Sequence, residues 1–445
     1  MNMDHSLSRK VIEDLLEHDH RAIAVTPGVD LVAVLRHALG ANRRRLGRDA
    51  ILFGLLLTLI ATLFFAGVSL WPLIVIIAGW VVIYIEEHLS MFGPAAQRLR
   101  PGRFDPDAAP TVAAGAVSDR QLERIAAATE TGNVTLYGGF PPFVGYGRVQ
   151  TSWSFAVDVT RPASGRHPVP FAVQEVYDFV GDRLRALDLP GIEVSCRLFV
   201  NGQDIEDDPR FLPEPGTAPA TSVPDDVLRA LTAAPEERAR PYLTVSMTGW
   251  DGDLVVTTFV RFLLSRTDLF VEAAHTAVPP LAARYKAIDE MEQSPSGREF
   301  LGMLARTIMS GPGLVLSSAG RIMHELLSDS RRDKNNRRAR LRAEYGALRS
   351  LREAAAEPNW QRYFQVFDNA RYRKVIEQRI FRSLVEFLDA HDVDTTSLVA
   401  RSETVINNGV MLTGQSTVNA AQVAVGAGAQ AAGVLSRVRG GHGAG

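Results

Sequence analysis

Cysteine is almost absent from this chain of 445 residues, in which Cys196 is the single example. A disulfide needs two cysteines, and a zinc site usually needs several Cys or His ligands at close spacing. Neither arrangement is available, so the sequence predicts no disulfide framework and no metal site. A chain with one cysteine is typical of a reducing compartment.

Catalytic and phosphate-binding signatures are also missing. The glycine-rich segment 138–147 matches neither G-x-G-x-x-G nor the P-loop. Asp392–Thr396 matches the D-x-D-x-T nucleophile pattern of haloacid-dehalogenase-type phosphatases, but that chemistry needs the first Asp at the end of a buried strand. Here the pattern follows a helical stretch, which favours a helix end and a new helix cap at Asp394 or Thr395. We therefore predict no catalytic residue and no cofactor.

Excess charge of one sign is missing too, since 48 Lys and Arg stand against 50 Asp and Glu. The net charge alone does not favour nucleic acid as a partner, and charge has to be examined segment by segment.

What the sequence does contain is an uncharged run of 36 residues, Ala50–Ile85. One membrane-spanning helix needs about 20 apolar residues, so the run suits two spans. A Gly-Val-Ser-Leu-Trp-Pro break ending at Pro72 predicts a turn between a span at 50–68 and a second at 71–88. A signal peptide or a buried helical pair in a soluble core fits this length and position less well.

Arginines on both sides of the run predict its orientation. They are Arg43, Arg44, Arg45, Arg48, Arg98, Arg100 and Arg103. Because basic residues stay on the cytoplasmic side of a membrane, we expect a multi-pass protein of the cell membrane with both termini in the cytoplasm.

Composition divides the chain into six segments. We predict amphipathic helices at 1–49, a transmembrane hairpin at 50–88, a Pro/Ala linker at 89–118, an α+β cytoplasmic domain at 119–280, a helical region at 281–400 and a flexible Gly/Ala/Val tail at 401–445. The fold class is therefore α+β, with a transmembrane helical hairpin followed by a mixed strand and helix domain and a C-terminal helical region.

Alternating and β-branched residues predict the strands of the central domain. They lie around residues 132–139, 152–160, 192–200, 242–248, 254–264 and 269–274, and Asp251-Gly252 predicts a turn. Apolar residues three or four apart predict helices at 169–188 and 369–390.

The loop 138–147 is a candidate binding site because it joins two predicted strands and combines glycines with aromatic side chains. The residues concerned are Tyr137, Phe140, Phe143 and Tyr146. Such a loop can cover a ligand or a partner, or can be packed as a structural element.

A basic helix is predicted at 331–352, with an apolar stripe that includes Leu341 and Tyr345. Its candidate lipid- or anion-binding residues are Arg331, Arg332, Lys334, Arg337 and Arg338. A solvated helix surface and contact with anionic lipid both fit the pattern. Nucleic acid is favoured least, because no recognition fold accompanies the helix.

Two short strand-like runs in the tail are candidates for assembly between chains, through Val410, Leu412, Val423 and Val425. The segment Gln422–Gly426 resembles the core of RHIM-like amyloid signalling motifs. It departs from them at Ala424 and Ala429, where those motifs usually have Gln and Asn. A disordered tail is the alternative interpretation.

Three segments carry a resemblance to a larger group of proteins. They read VTLYGGFPPFVGYG…WSFAVDV, RYRKVIEQRIFRSLVEFLDAHDVDTTSL and NNGVMLTG…VAVGAGAQA. In these segments the chain resembles uncharacterised actinobacterial membrane proteins, and the resemblance implies no activity.

The functional hypothesis is a membrane-anchored cytoplasmic binding or scaffold protein that engages a protein partner or anionic lipid. Two alternatives remain open. One is a membrane-disrupting effector that self-associates through its tail, and the other is an enzyme with a site near residues 138–147.

Overall fold

The computed structural model describes residues 5–18, 20–65, 70–100, 102–104, 119–130, 132–163, 165–290, 295–342, 344–347 and 349–407. Apolar helices come first, a six-stranded mixed sheet with helices follows, and helices end the described chain. The predicted α+β class is confirmed.

The described residues of the N-terminal part form five helices. They are α1 (His5–Ile12), which continues as a π-helical turn at Glu13–Glu17, α2 (Leu31–Phe65), α3 (Trp71–Phe92), α4 (Pro94–Gln97) and α5 (Asp119–Glu130). The sequence predicted a surface helix and a separate first span where the structure has the single helix α2. Nothing in these 35 residues breaks a helix, and the buried Leu31 and Leu35 hold its start against Val11 and Ile125.

The sheet has the strand order β1-β3-β4-β5-β6-β2. Its strands are β1 (Val134–Tyr137), β2 (Arg148–Asp158), β3 (Ile192–Asn201), β4 (Ala239–Gly249), β5 (Leu254–Leu264) and β6 (Asp268–Val278). β1 pairs with β3 in parallel, and the other pairs are antiparallel. The helices α6 (Val173–Arg185) and α7 (Asp225–Ala233) lie between strands in the chain. Residues 250–252 form the turn between β4 and β5, where the sequence predicted a turn at Asp251-Gly252. Both of these residues have positive φ.

Among the described residues, six helices follow the sheet. They are α8 (Ala283–Glu290), α9 (Gly297–Leu326), α10 (Ser328–Arg342), α11 (Leu351–Ala354), α12 (Tyr363–Ala390) and α13 (Thr396–Asn407). Ile380 and Leu384 of α12 share one core with Val180 of α6 and Val256 of β5. The two helices α6 and α12 therefore cover one face of the sheet, although the sequence assigned α12 to a separate helical region.

The predicted basic helix ends ten residues early, at Arg342. Tyr345 is fully buried, and Ala347 bridges to Tyr137 of β1 in parallel. Backbone hydrogen bonds join Ala347 N to Leu136 O (2.9 Å) and Gly138 N to Ala347 O (2.9 Å). Pairing with the edge of the sheet satisfies these backbone groups, and this long-range gain overrides the local helical pattern.

Candidate membrane-facing site

Ion pairs join α2 and α3 near the base of the hairpin. Arg48 lies 3.0 Å from Glu86 and 2.8 Å from Asp49, whose side chain is 3% exposed. The pair between Arg48 and Glu86 shows that these positions lie at one level of the hairpin. Beyond this level the surface of both helices is apolar, with Leu57, Leu63, Phe64, Trp71 and Ile74 among the exposed side chains.

The helix α9 is attached to the same level. Arg321 holds Asp49 through two contacts, Nε to Oδ2 at 2.5 Å and Nη2 to Oδ1 at 2.9 Å. Arg306 lies 2.8 Å from Glu87, and Thr307 donates to Glu87 at 3.3 Å. We call Arg48, Asp49, Glu86, Glu87, Arg306 and Arg321 the charged belt.

The charged belt defines how α9 crosses the hairpin. Arg306 and Arg321 are 15 residues apart, which is about 22 Å along a helix. Arg306 pairs with Glu87, and Arg321 pairs with Asp49. These two acidic residues come directly after Glu86 and Arg48, which pair with each other across the hairpin. Both arginines therefore reach one level of the hairpin, and α9 crosses the hairpin base obliquely.

The two sides of α9 differ sharply. One side packs on the hairpin and buries Met303, Thr307, Gly311 and Ser318. A Cβ atom at Gly311 would lie 2.7 Å from Nε1 of Trp80, so a larger residue here would have to displace the indole ring. The opposite side exposes large apolar side chains to the surroundings.

Three described helices are long and apolar enough to cross a membrane, namely Leu31–Phe64, Trp71–Phe92 and Gly297–Leu326. This composition is compatible with a membrane location for the protein.

The candidate binding loop 138–147 packs largely inward. Phe143 and Tyr146 are buried against Phe259 of β5, with ring centroids 4.0 and 5.0 Å away. Glu353 accepts the backbone N–H groups of Gly145 (2.9 Å) and Gly147 (2.7 Å), which fastens the loop to α11. The loop thus covers the face of the sheet opposite α6 and α12.

Burial has electrostatic consequences in this loop, because it raises the pKa of the Tyr146 hydroxyl above its ordinary value. Burial also raises the pKa of Tyr137, which is half-buried at the end of β1. Phe140 differs from these residues, because its side chain is 99% exposed. Of the four predicted site residues, the structure buries Phe143 and Tyr146 in the core, half-buries Tyr137 and leaves Phe140 exposed.

The basic candidates lie on α10. Arg331, Lys334, Arg337 and Arg338 are exposed, and Arg332 belongs to the same helix. The assembly candidates Val410, Leu412, Val423 and Val425 lie outside the described residues.

In the D-x-D-x-T pattern, Asp394 accepts the backbone N–H of Thr396 at 3.0 Å, so it caps α13 as the sequence predicted.

A buried polar cluster escaped the sequence analysis. His275 Nδ1 lies 2.9 Å from Thr258 Oγ1, and His275 Nε2 lies 2.8 Å from Glu377 Oε1. Trp153 Nε1 donates to the same Glu377 oxygen at 3.1 Å. These residues are far apart in the sequence and form no motif, so no local signal pointed to them.

The buried cluster fastens α12 to the sheet. Burial alone would raise the pKa of Glu377, but the contacts from His275 and Trp153 outweigh it and hold the pKa below its ordinary value. In space, Thr258, His275 and Glu377 are arranged like a nucleophile, its base and a carboxylate beside the base. However, Thr258 is 0% exposed and His275 is 1% exposed. A substrate has no approach to this hydroxyl, so the arrangement serves the packing of the domain.

Across the described ranges, no group of three or more His, Cys, Asp or Glu side chains is arranged to hold a metal ion.

The model of the AbeC-like domain family matches residues 152–419. The matched part begins in β2, includes α9, α10 and α12, and leaves out the hairpin α2–α3. No curated protein and no solved structure matches the chain.

Proposed function

We propose that this chain, which belongs to the AbeC-like domain family, is a membrane-anchored binding protein. The hairpin α2–α3 crosses the cell membrane twice and holds the family domain against the cytoplasmic face. There α10 engages anionic lipid, and the remaining surface is presented to a protein partner. The charged belt carries this proposal, because it joins the family domain to the hairpin at the level where the apolar surface begins.

The path of the chain around α9 supports two spans. The chain leaves the sheet at Ala282 and returns to the same point, where Ala282 N donates to Ala355 O at 2.9 Å. A single crossing by α9 would separate these two residues by a membrane. A return crossing by α10 is excluded physically, since nine of its 15 residues are charged.

The length of the uncharged part of α9 supports the same count. Between Arg306 and Arg321 lie only 14 residues, numbers 307–320. A span needs about 20 apolar residues, and a run of about 10–14 is more typical of an interfacial, re-entrant or core segment.

The packing of the N-terminal region supports a common side for both ends of the hairpin. Val11 of α1, Leu35 of α2 and Ile125 of α5 share one apolar cluster, so residues before and after the hairpin lie together. Arg43, Arg98 and Arg103 flank the hairpin and are exposed. Under the positive-inside rule these arginines favour the cytoplasm.

Two surfaces support a binding role. The exposed basic residues of α10 follow directly after α9, and each basic residue near an anionic membrane contributes about 1 kcal/mol to binding. At the start of α12, Tyr363, Phe364 and Phe367 are 72%, 68% and 56% exposed, and the ring of Tyr363 contacts the other two rings. Exposed aromatic clusters of this kind are typical of protein interfaces.

Single-cysteine labelling tests the topology. In a Cys196→Ala background, Leu70→Cys at the hairpin turn should react with a membrane-impermeant maleimide in spheroplasts. Arg103→Cys and Arg331→Cys should react only after lysis. Labelling of Arg331→Cys in intact spheroplasts would contradict the two-span anchor. The anchor would also be contradicted if Leu70→Cys reacted only after lysis.

Fluorescence from α10 tests the lipid contact. The full chain carrying a polarity-sensitive dye on Asp333→Cys, again with Cys196→Ala, is placed in nanodiscs. We expect a blue shift with phosphatidylglycerol but not with phosphatidylcholine alone, and its loss at high salt, because salt screens exposed charges. Asp251→Cys, in the exposed turn between β4 and β5, is the control and should respond to neither lipid. Equal spectra in both lipids at Asp333→Cys would leave α10 as a solvated surface.

A further inference from the structure

The outward side of α9 is apolar over six turns. Its exposed large side chains include Leu301 (64%), Ile308 (47%), Met309 (85%), Leu316 (71%) and Met323 (56%). Their recurrence at intervals of seven and eight residues, about two helical turns, keeps them on one face of a helix. From Leu301 to Met323 this face carries no charged side chain. A soluble surface seldom exposes an apolar patch of this extent.

The inward side of α9 determines where that face points. Met303, Thr307, Gly311 and Ser318 lie on the opposite side of the helix and pack on the hairpin. The outward face therefore points away from the protein, at the level of the charged belt. The same level separates the polar base of the hairpin from its apolar surface, which exposes Ile51 and Ile85 next to the belt.

A helix with one apolar face and one polar face, held at the boundary between headgroups and acyl chains, lies in the plane of the membrane. The polar atoms on the hairpin side of α9 are satisfied within the protein by Glu87 and Asp49. Nothing polar on the outward face has to be desolvated when acyl chains cover it. Lipid therefore fits this face, and the hairpin brings it to the bilayer without a separate binding step.

We propose that α9 lies in the cytoplasmic leaflet, along its surface, with the face from Leu301 to Met323 in contact with acyl chains. This inference rests on the two-span anchor and adds a membrane contact made by the family domain itself. Since α9 falls within the matched residues 152–419 and the hairpin does not, the contact belongs to the part of the chain that defines the family.

Spin labels on the full chain test the inference. Four variants in a Cys196→Ala background, reconstituted in lipid vesicles, each carry one nitroxide. Ile60→Cys reports on the hairpin, Met309→Cys and Leu316→Cys on α9, and Phe270→Cys on the exposed surface of β6. Depth follows from the relative collision rates with oxygen and with a water-soluble nickel chelate.

We expect the label at position 60 deep in the bilayer, those at 309 and 316 at one shared shallow depth of roughly 5–10 Å, and that at 270 in water. Labels at 309 and 316 as water-accessible as that at 270, with position 60 still deep, would overturn the inference and leave the anchor intact. Strongly different depths at 309 and 316 would mean that α9 penetrates the bilayer and would also overturn it. A water-accessible label at position 60 would overturn the anchor and the inference together.

Discussion

Replacement of Glu377 by alanine is expected to lower the free energy of unfolding of the domain by about 3–5 kcal/mol. The substitution leaves His275 and the indole N–H of Trp153 buried without their acceptor. Loss of one member of a buried, hydrogen-bonded polar set costs more than the set contributes, because the remaining polar groups stay desolvated. Thermal and urea unfolding of the full chain in detergent measures the effect.

The same helix offers a matched control. Glu386 lies 3.2 Å from Arg183 at the surface, with a side chain that is 41% exposed. Glu386→Ala should change stability by less than about 1 kcal/mol, since exposed pairs contribute little. Equal losses in the two variants would contradict the role assigned to the buried cluster.

The pH dependence of stability has a definite sign at Glu377. Its pKa in the folded protein is lowered, so its contribution to the free energy of unfolding is fully present above the ordinary glutamate pKa of about 4.3. That contribution disappears as the pH falls through the lower pKa of the folded state. Glu377→Gln should therefore flatten the acid limb of the stability profile. A variant whose acid limb is as steep as that of the unmodified chain would assign the acid sensitivity to other groups.

Replacement of Gly346 by alanine is the second change with a large expected effect. A Cβ at this position would lie 2.3 Å from both the carbonyl carbon and the oxygen of Tyr137, which are main-chain atoms. The backbone cannot move aside without losing the bonds that join residues 345–347 to β1. We expect a destabilisation of about 3 kcal/mol or more, at the upper end of overpacking costs. A lower thermal midpoint and faster proteolysis between α10 and α11 would report it.

The control for this prediction lies in the neighbouring loop. A Cβ at Gly139 would come no closer than 3.8 Å to Cδ of Pro141, an ordinary contact, and Gly139 has no positive φ. Gly139→Ala should leave the thermal midpoint nearly unchanged. A Gly346→Ala protein as stable as Gly139→Ala would show that residues 345–347 adapt freely at the sheet edge.

The candidate site shows how far sequence reasoning reached. The aromatic content of the loop 138–147 was visible in the sequence, but the inward direction of Phe143 and Tyr146 was not. It depends on Phe259 and Glu353, which lie more than 100 residues further along the chain. The apolar character of α9 was visible as well. Its position depends on Glu87 and Asp49, which precede it by more than 200 residues.

The amino-acid sequence by itself determined the properties that depend on neighbouring residues. The uncharged run predicted the hairpin, alternation predicted the strands, and helical spacing predicted α6 and α12, because each pattern repeats within a few residues. Only the tertiary structure decided that α2 continues through its arginines, that α10 ends at Arg342, and that Thr258, His275 and Glu377 meet. These outcomes depend on contacts between distant segments, whose packing and hydrogen-bond energy exceeds the small local preferences that a sequence pattern records.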